Sequence, residues 1–183
     1  MQIIGITGTL GAGKGTIVDY LTANHGFKHF SVRGYLIKII TQKGLDVNRD
    51  NMVAVANELR ANNSPSFIAE ELFKDAMQSN QNCIIESIRT LGEVYALQAK
   101  GNFKLFAVDA DRKLRYERIV ERASETDKIS FETFVDNETR EMNSTDPNKQ
   151  NIGACMQLAD FLLTNDGGLD DLYGKIDSTL NLH

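Results

Sequence analysis

The chain has 183 residues, 42% hydrophobic and 25% charged, with a formal net charge of −5 and a pI near 5.2. This length and composition favour one ordinary globular domain, 1–183, with its own core. The acidic balance excludes a surface that coats nucleic acid or a polybasic membrane patch, while leaving room for a local basic cleft.

The start, MQIIGITGTL, lacks a basic leader region and reads as a first strand over 2–7, not as a signal peptide. A helix begins in the glycine loop that follows and stops at Gly26; FKHFS (27–31) is a short second strand. GYLIKIITQKG is helical and ends at Gly44, and RDNMVAVANELRANN is helical with an apolar face of Met52, Val53, Val55, Ala56 and Leu59. SPSFIAEELFKDAMQS places Ser64 as N-cap and Pro65 at the first helical position. CIIES (83–87) is the third strand, LGEVYALQAKG a crossover helix and FKLFAVDA (103–110) the fourth strand. Next come a cationic helix, DRKLRYERIVERA, and a second helix, SFETFVDNETREM, led by Ser130 and an acidic first turn. NIGACMQLA is helix or loop, DFLLTN (160–165) the fifth strand, and GLDDLYGKIDSTL a closing helix.

Strands alternating with crossover helices imply an α/β fold with a parallel sheet, because parallel neighbours need long connections. The strands are apolar without alternation, as expected when both faces are covered. Ligands in such sheets sit at the carboxyl ends of the strands. Cys83 and Cys155 have no ligand-like spacing; they read as small buried hydrophobes in a reducing compartment rather than a disulfide or zinc site. No apolar run approaches the roughly 18 residues of a membrane span. The expectation is a cytoplasmic protein, monomer or homodimer, with small-molecule nucleotide substrates and neither nucleic acid nor membrane as partner.

GTLGAGKGT, Gly8 to Thr16, carries the sharpest signal. Gly8, Gly13 and Lys14 match the phosphate-binding loop, and they lie where it belongs, after strand one and before a helix. Glycines let successive N–H groups curl toward an anion, and the helix adds free N–H groups and its positive end. Lys14 reaches the β- and γ-phosphates as a point charge. The expected ATP-binding residues are Gly11, Ala12, Gly13, Lys14, Gly15 and Thr16. Gly15 stands where a Mg²⁺-binding hydroxyl is usual, so Thr16 is the loop's metal candidate.

The loop resembles that of the P-loop nucleoside monophosphate kinases, the adenylate kinase-like group. The resemblance implies a three-layer αβα fold, a five-stranded parallel sheet of order 2-3-1-4-5, an acceptor-binding segment (about 31–80) and a helical lid (about 115–145). It also implies ATP and Mg²⁺. In IIESIRT, Glu86 takes the place of a carboxylate that holds Mg²⁺ through water and borders the acceptor; Ser87 replaces a usual glycine, and Arg89 is the arginine for the acceptor phosphate. In FSVRGYLIK, Ser31 fits a small hydroxyl residue, and Arg33 or Lys38 a cation for the acceptor. NRDNMVAVANELRANNSPSFIAEELF, IIESIRTLGEV and RYERIVER…F…RE also resemble a family of uncharacterised nucleotide-kinase-like proteins, mostly archaeal and bacterial, related to dephospho-CoA kinase and deoxynucleotide kinases. By that match Arg60 and Arg49 line the acceptor pocket.

In the lid, Arg115, Arg118 and Arg122 fall on one helical face, with Arg118 and Arg122 expected to join Lys14 and Arg89 in catalysis and Arg140 as a further cation. Phosphoryl transfer needs positive charge over the equatorial oxygens and little covalent chemistry. After strand five, Asn165 and Asp166 sit where the resembled kinases cradle adenine. His25, His29 and His183 read as surface or packing residues. The expected activity is transfer of the ATP γ-phosphate to a nucleoside or deoxynucleoside monophosphate. A dephospho-CoA kinase is the alternative, disfavoured because Asp19 reads as buried in its helix and FSVRG has no acid. A regulatory ATPase is the other; no Asn-Lys-x-Asp motif or switch threonine is present.

Overall fold

The computed structural model describes residues 1–122 and 129–181. In chain order the elements are β1 (Ile3–Gly8), α1 (Lys14–His25), β2 (Lys28–Ser31), α2 (Val32–Gln42), α3 (Arg49–Asn62), α4 (Phe67–Ser79) and β3 (Cys83–Glu86). They continue with α5 (Leu91–Gln98), β4 (Phe103–Asp109), α6 (Arg112–Arg122), α7 (Phe131–Met142), α8 (Ile152–Gln157), β5 (Phe161–Thr164) and α9 (Leu169–Leu180). Residues 123–128 of the expected lid segment, and His183, lie outside the described residues.

All strand pairs are parallel and the order is β2-β3-β1-β4-β5, as the resemblance implies. Alternate side chains of the central strands feed two cores. Ile4, Ile6, Ile84, Phe106 and Val108 pack with Ile17 and Leu21 of α1 and Leu172 and Ile176 of α9. Ile3, Ile85, Phe103 and Leu105 face the opposite layer, formed by α2 to α5 and α8. This two-sided burial is why the strands carry apolar runs, and each buried Ile or Phe contributes roughly 1.5–3 kcal/mol. Both cysteines are buried and free, Cys83 and Cys155 alike in the second core.

The register aligns the sheet's carboxyl edge: Ser31 stands opposite Glu86, Gly8 opposite Val108, and Asp109 opposite Thr164. Two local expectations shift. α2 begins at Val32, one residue after β2, because the Ser31 hydroxyl accepts from Gly34 N and caps it at once. α4 begins at Phe67 rather than at Pro65; Ser64 and Pro65 form a turn in which Phe67 N donates to Ser64 O. Ser130 caps α7 as expected, accepting from Thr133 N, and NIGACMQLA forms the short helix α8.

Candidate functional site

The loop between β1 and α1 is built to leave backbone donors open. Gly11 and Gly13 have φ of 81° and 100°, in the region that favours glycine. A Cβ at Gly11 would lie 2.4 Å from Arg115 O, and one at Gly13 2.3 Å from Asn165 Nδ2. No side chain caps the first turn of α1, so its N–H groups and positive dipole end face the cavity.

Lys14 lies across this loop, its Nζ donating to Gly8 O at 2.8 Å and Thr9 O at 2.7 Å. Burial, and then the neighbouring Arg89 guanidinium, lower its pKa to about 7, while Glu86 and Glu141 push the other way. The ammonium is therefore held in a site already rich in positive charge.

Two expected loop neighbours instead brace the loop from behind. Asn165 is buried and donates through Nδ2 to Ala12 O at 2.8 Å, so its amide holds the loop rather than facing a base. Arg115 is a correction to the lid reading. It is 4% exposed, donates to Ala110 O and Leu10 O, and pairs with Glu138 at 2.5 Å. Glu138 is drawn in by Arg112 as well, at 2.8 Å, so the first half of the cationic stripe is neutralised inside the fold.

Across the sheet edge, Glu86 ends β3, the neighbour of β1. Its carboxylate accepts from Ser31 Oγ at 3.1 Å and lies 3.9 Å from His29 Nε2. Ser87 follows with φ 65°, a positive value that explains why a glycine is usual there. The turn is pinned to β1: Ile88 N donates to Ile6 O, and Thr7 Oγ1 to Ile88 O. Arg89 then points back, its Nη1 donating to Gln150 Oε1 at 2.7 Å and Glu141 Oε2 at 3.1 Å. Arg49 pairs with the other oxygen of Glu141.

Arg60 is 2% exposed and spends Nε and Nη2 on Oε1 of the fully buried Glu93, while its Nη1 has no partner among the described residues. The second oxygen of Glu93 accepts from Arg89 N and Thr90 N, closing a capping box on α5. Sequence reasoning missed Glu93, Glu141 and Gln150, each joined to its arginine over 33 to 92 positions; only the resemblance to an "RE" pair pointed near Glu141.

These groups meet in one cavity of about 750 Å³, a size typical of small-molecule sites. Gly11, Gly13, Lys14, Gly15 and Thr16 form its loop side. Glu86, Arg49, Arg60, Arg89, Glu141 and Gln150 also line it, and Arg118 and Arg122 reach it from α6. Val32, Leu36, Met52, Val53 and Ala56 give it an apolar wall, with Arg33 at its rim beside Met52. Asp19 is a second correction: it is exposed and lines the cavity instead of being buried in α1. Ser31 touches the cavity only through Glu86. Ala12 is wholly buried under the loop. Lys38 and Arg140 are exposed and do not line it; Arg140 reaches Asn137 on its own helix.

Thr16 and Glu86 supply hard oxygen donors to the same cavity as Lys14, the donor type Mg²⁺ takes alongside water and phosphate. Among the described residues no three His, Cys, Asp or Glu side chains converge as a metal cage, so the donor set suits a metal carried mainly by phosphates. No helix among the described residues is long and apolar enough to cross a membrane.

The chain resembles known proteins along its whole length. A UPF0200 protein of Methanococcus maripaludis strain C6 is 30% identical over 98% of this chain and 96% of its own. Among solved structures, TT1252 from Thermus thermophilus superposes with a TM-score of 0.66 at 18% identity, covering 100% of this chain and 98% of that one. Shikimate kinase from Bacteroides thetaiotaomicron superposes with a TM-score of 0.59 at 11% identity, covering 99% of each. These likenesses show a kinase-like P-loop fold. Residues 4–144 match the family model AAA_18, described as an AAA domain. The chain therefore belongs to the AAA_18 family of AAA domains and, within the relatives it matches from end to end, to the UPF0200 proteins.

Proposed function

We propose that the protein is an ATP-dependent phosphotransferase that moves the γ-phosphate of ATP to a nucleoside or deoxynucleoside monophosphate. The observation that carries this reading is the single cavity that joins the Lys14 loop to Arg49, Arg60 and Arg89 beside an apolar wall. The loop suits a polyphosphate, the arginines an anionic acceptor, and the wall a flat apolar ring. An acceptor phosphate is already ionised at pH 7 and needs no general base, so positioning and charge suffice.

In this reading Lys14 leaves the carbonyls of Gly8 and Thr9 for the β- and γ-phosphate oxygens. Arg118 and Arg122 approach the transferring group from the lid side, and Arg89 orients the acceptor oxygen. Thr16 and Glu86 would hold Mg²⁺, Glu86 through water, and the metal would supply positive charge against the triphosphate. Closure of the lid over the cavity would exclude water and suppress hydrolysis.

Asp19 favours a second reading. An exposed carboxylate on the cavity wall, one turn beyond the loop, is where a hydroxyl acceptor such as dephospho-CoA would find its base. The test is ATP labelled at the γ-phosphate, incubated with ribo- and deoxynucleoside monophosphates and dephospho-CoA, with Lys14→Ala as control. Label on a monophosphate, lost in the variant, supports the first reading. Label on dephospho-CoA supports the second, and release as inorganic phosphate regardless of acceptor overturns both.

A further inference from the structure

We propose that Glu141 is a positioning residue of the acceptor subsite: from α7 it holds Arg49 of α3 and Arg89 of the β3–α5 turn side by side, ready for the acceptor's anionic group. The inference rests on the reading above only in taking that group to be a phosphate.

Arg49 and Arg89 come from different elements and would repel each other if they converged unaided. One carboxylate answers both. Glu141 Oε1 accepts from Arg49 Nη2, and Oε2 accepts from Arg89 Nη1 at 3.1 Å. Gln150, itself buried, takes a second bond from Arg89 Nη1 at 2.7 Å. The Glu141 side chain is 5% exposed, whereas the two arginines are 23% and 25% exposed and border the cavity. Glu141 and Gln150 border the same cavity, so the bridge is part of its wall, with the carboxylate more enclosed than either guanidinium.

Each guanidinium carries five N–H donors in a planar fork. The bridge uses Nη2 of Arg49 and Nη1 of Arg89, which leaves further donors on each for an oxyanion. Arg49 Nε has no partner among the described residues and is shielded from solvent, so the donors open to an oxyanion are those of its terminal nitrogens. Glu141 also offsets part of the positive field on Lys14. Because it belongs to α7, it ties the second helix of the expected lid segment to these two arginines.

A carboxylate that merely occupied the phosphate's place would have the opposite consequence, since its removal would free the arginines. The two cases differ in sign. The full chain is titrated with inorganic phosphate and, separately, with the monophosphate that best accepts label, following the Arg49 and Arg89 Nε–Hε NMR signals. Wild type, E141Q and E141D are compared. The expected result is about tenfold weaker binding of both probes to E141Q, with ATP affinity within about twofold of wild type and a smaller loss in E141D. In turnover the acceptor KM rises while the ATP KM does not.

Equal or tighter binding by E141Q overturns the proposal. If E141Q fails to fold, E141D decides alone, because unchanged or tighter binding there overturns it as well. If wild type transfers label to no monophosphate while E141Q still loses phosphate affinity, the substrate reading falls and the positioning role stands.

Discussion

Lys14 is expected to take up a proton when a nucleoside triphosphate binds, and the amount follows from its environment. Burial and Arg89 hold its pKa near 7 in the unliganded protein. At that value about 0.1 of the side chains carry a proton at pH 8, about 0.5 at pH 7 and about 0.9 at pH 6. A polyphosphate within reach of Nζ favours the ammonium and returns the pKa toward its ordinary value of 10.5. Binding should then absorb about 0.9 proton at pH 8, about 0.5 at pH 7 and about 0.1 at pH 6. Calorimetric titrations in two buffers of different ionisation enthalpy measure this number directly. Lys14→Met, titrated in parallel, subtracts the protons that belong to the nucleotide itself. Equal uptake by wild type and Lys14→Met at pH 8 would refute the reasoning. The linkage also has a definite sign for stability. The unfolded chain binds this proton below about pH 10.5 and the folded one only below about 7, so wild type loses stability relative to Lys14→Met as pH falls through that window, and no further below it.

Glu93→Gln leaves Arg60 buried beside a neutral amide and weakens the cap on α5. It should destabilise the fold by about 3–5 kcal/mol in urea titration, whereas replacing both partners with Leu should cost far less. Ser87→Gly removes a side chain from a residue at φ 65° and should raise the urea midpoint by up to about 1 kcal/mol of stability; a lower midpoint would show that the Ser87 side chain itself stabilises the turn. Gly13→Ala sets a Cβ against the Asn165 amide in a left-handed conformation. It should abolish nucleotide binding in the same titrations while leaving phosphate binding at Arg49 and Arg89 within about twofold.

The fold was legible because its signals are local. Short apolar strands, the glycine loop and the cap at Ser130 each declare themselves within a few residues. The sheet's carboxyl edge then gathers Lys14, Glu86 and Arg89 into one cavity from separate stretches of chain. What the sequence conceals is the direction in which a charged side chain is spent. Arg115 and Arg118 share one helical face, yet Arg115 turns to Glu138 and the carbonyls under the loop while Arg118 lines the cavity. Helical spacing sets the face but not the partner, and the partner lies 23 positions onward. The bond from the Asn165 amide to Ala12 O is equally hidden in the sequence, because the packing of β5 and α1 together sets that distance. Glu93 and Glu141 read as ordinary helix-surface acids until tertiary packing buries them.

If phosphate moves onto phosphate, the product carries a new P–O–P bond. The purified chain, ATP, Mg²⁺ and the accepting nucleotide are followed by ³¹P NMR through turnover. Transfer onto phosphate yields two diphosphates, ADP and the acceptor's product, for each γ-signal of ATP lost, with the acceptor's own monophosphate signal declining in step and neither change seen with Lys14→Ala. A single diphosphate, ADP, accompanied by a new uncoupled phosphomonoester signal or by inorganic phosphate, would contradict it.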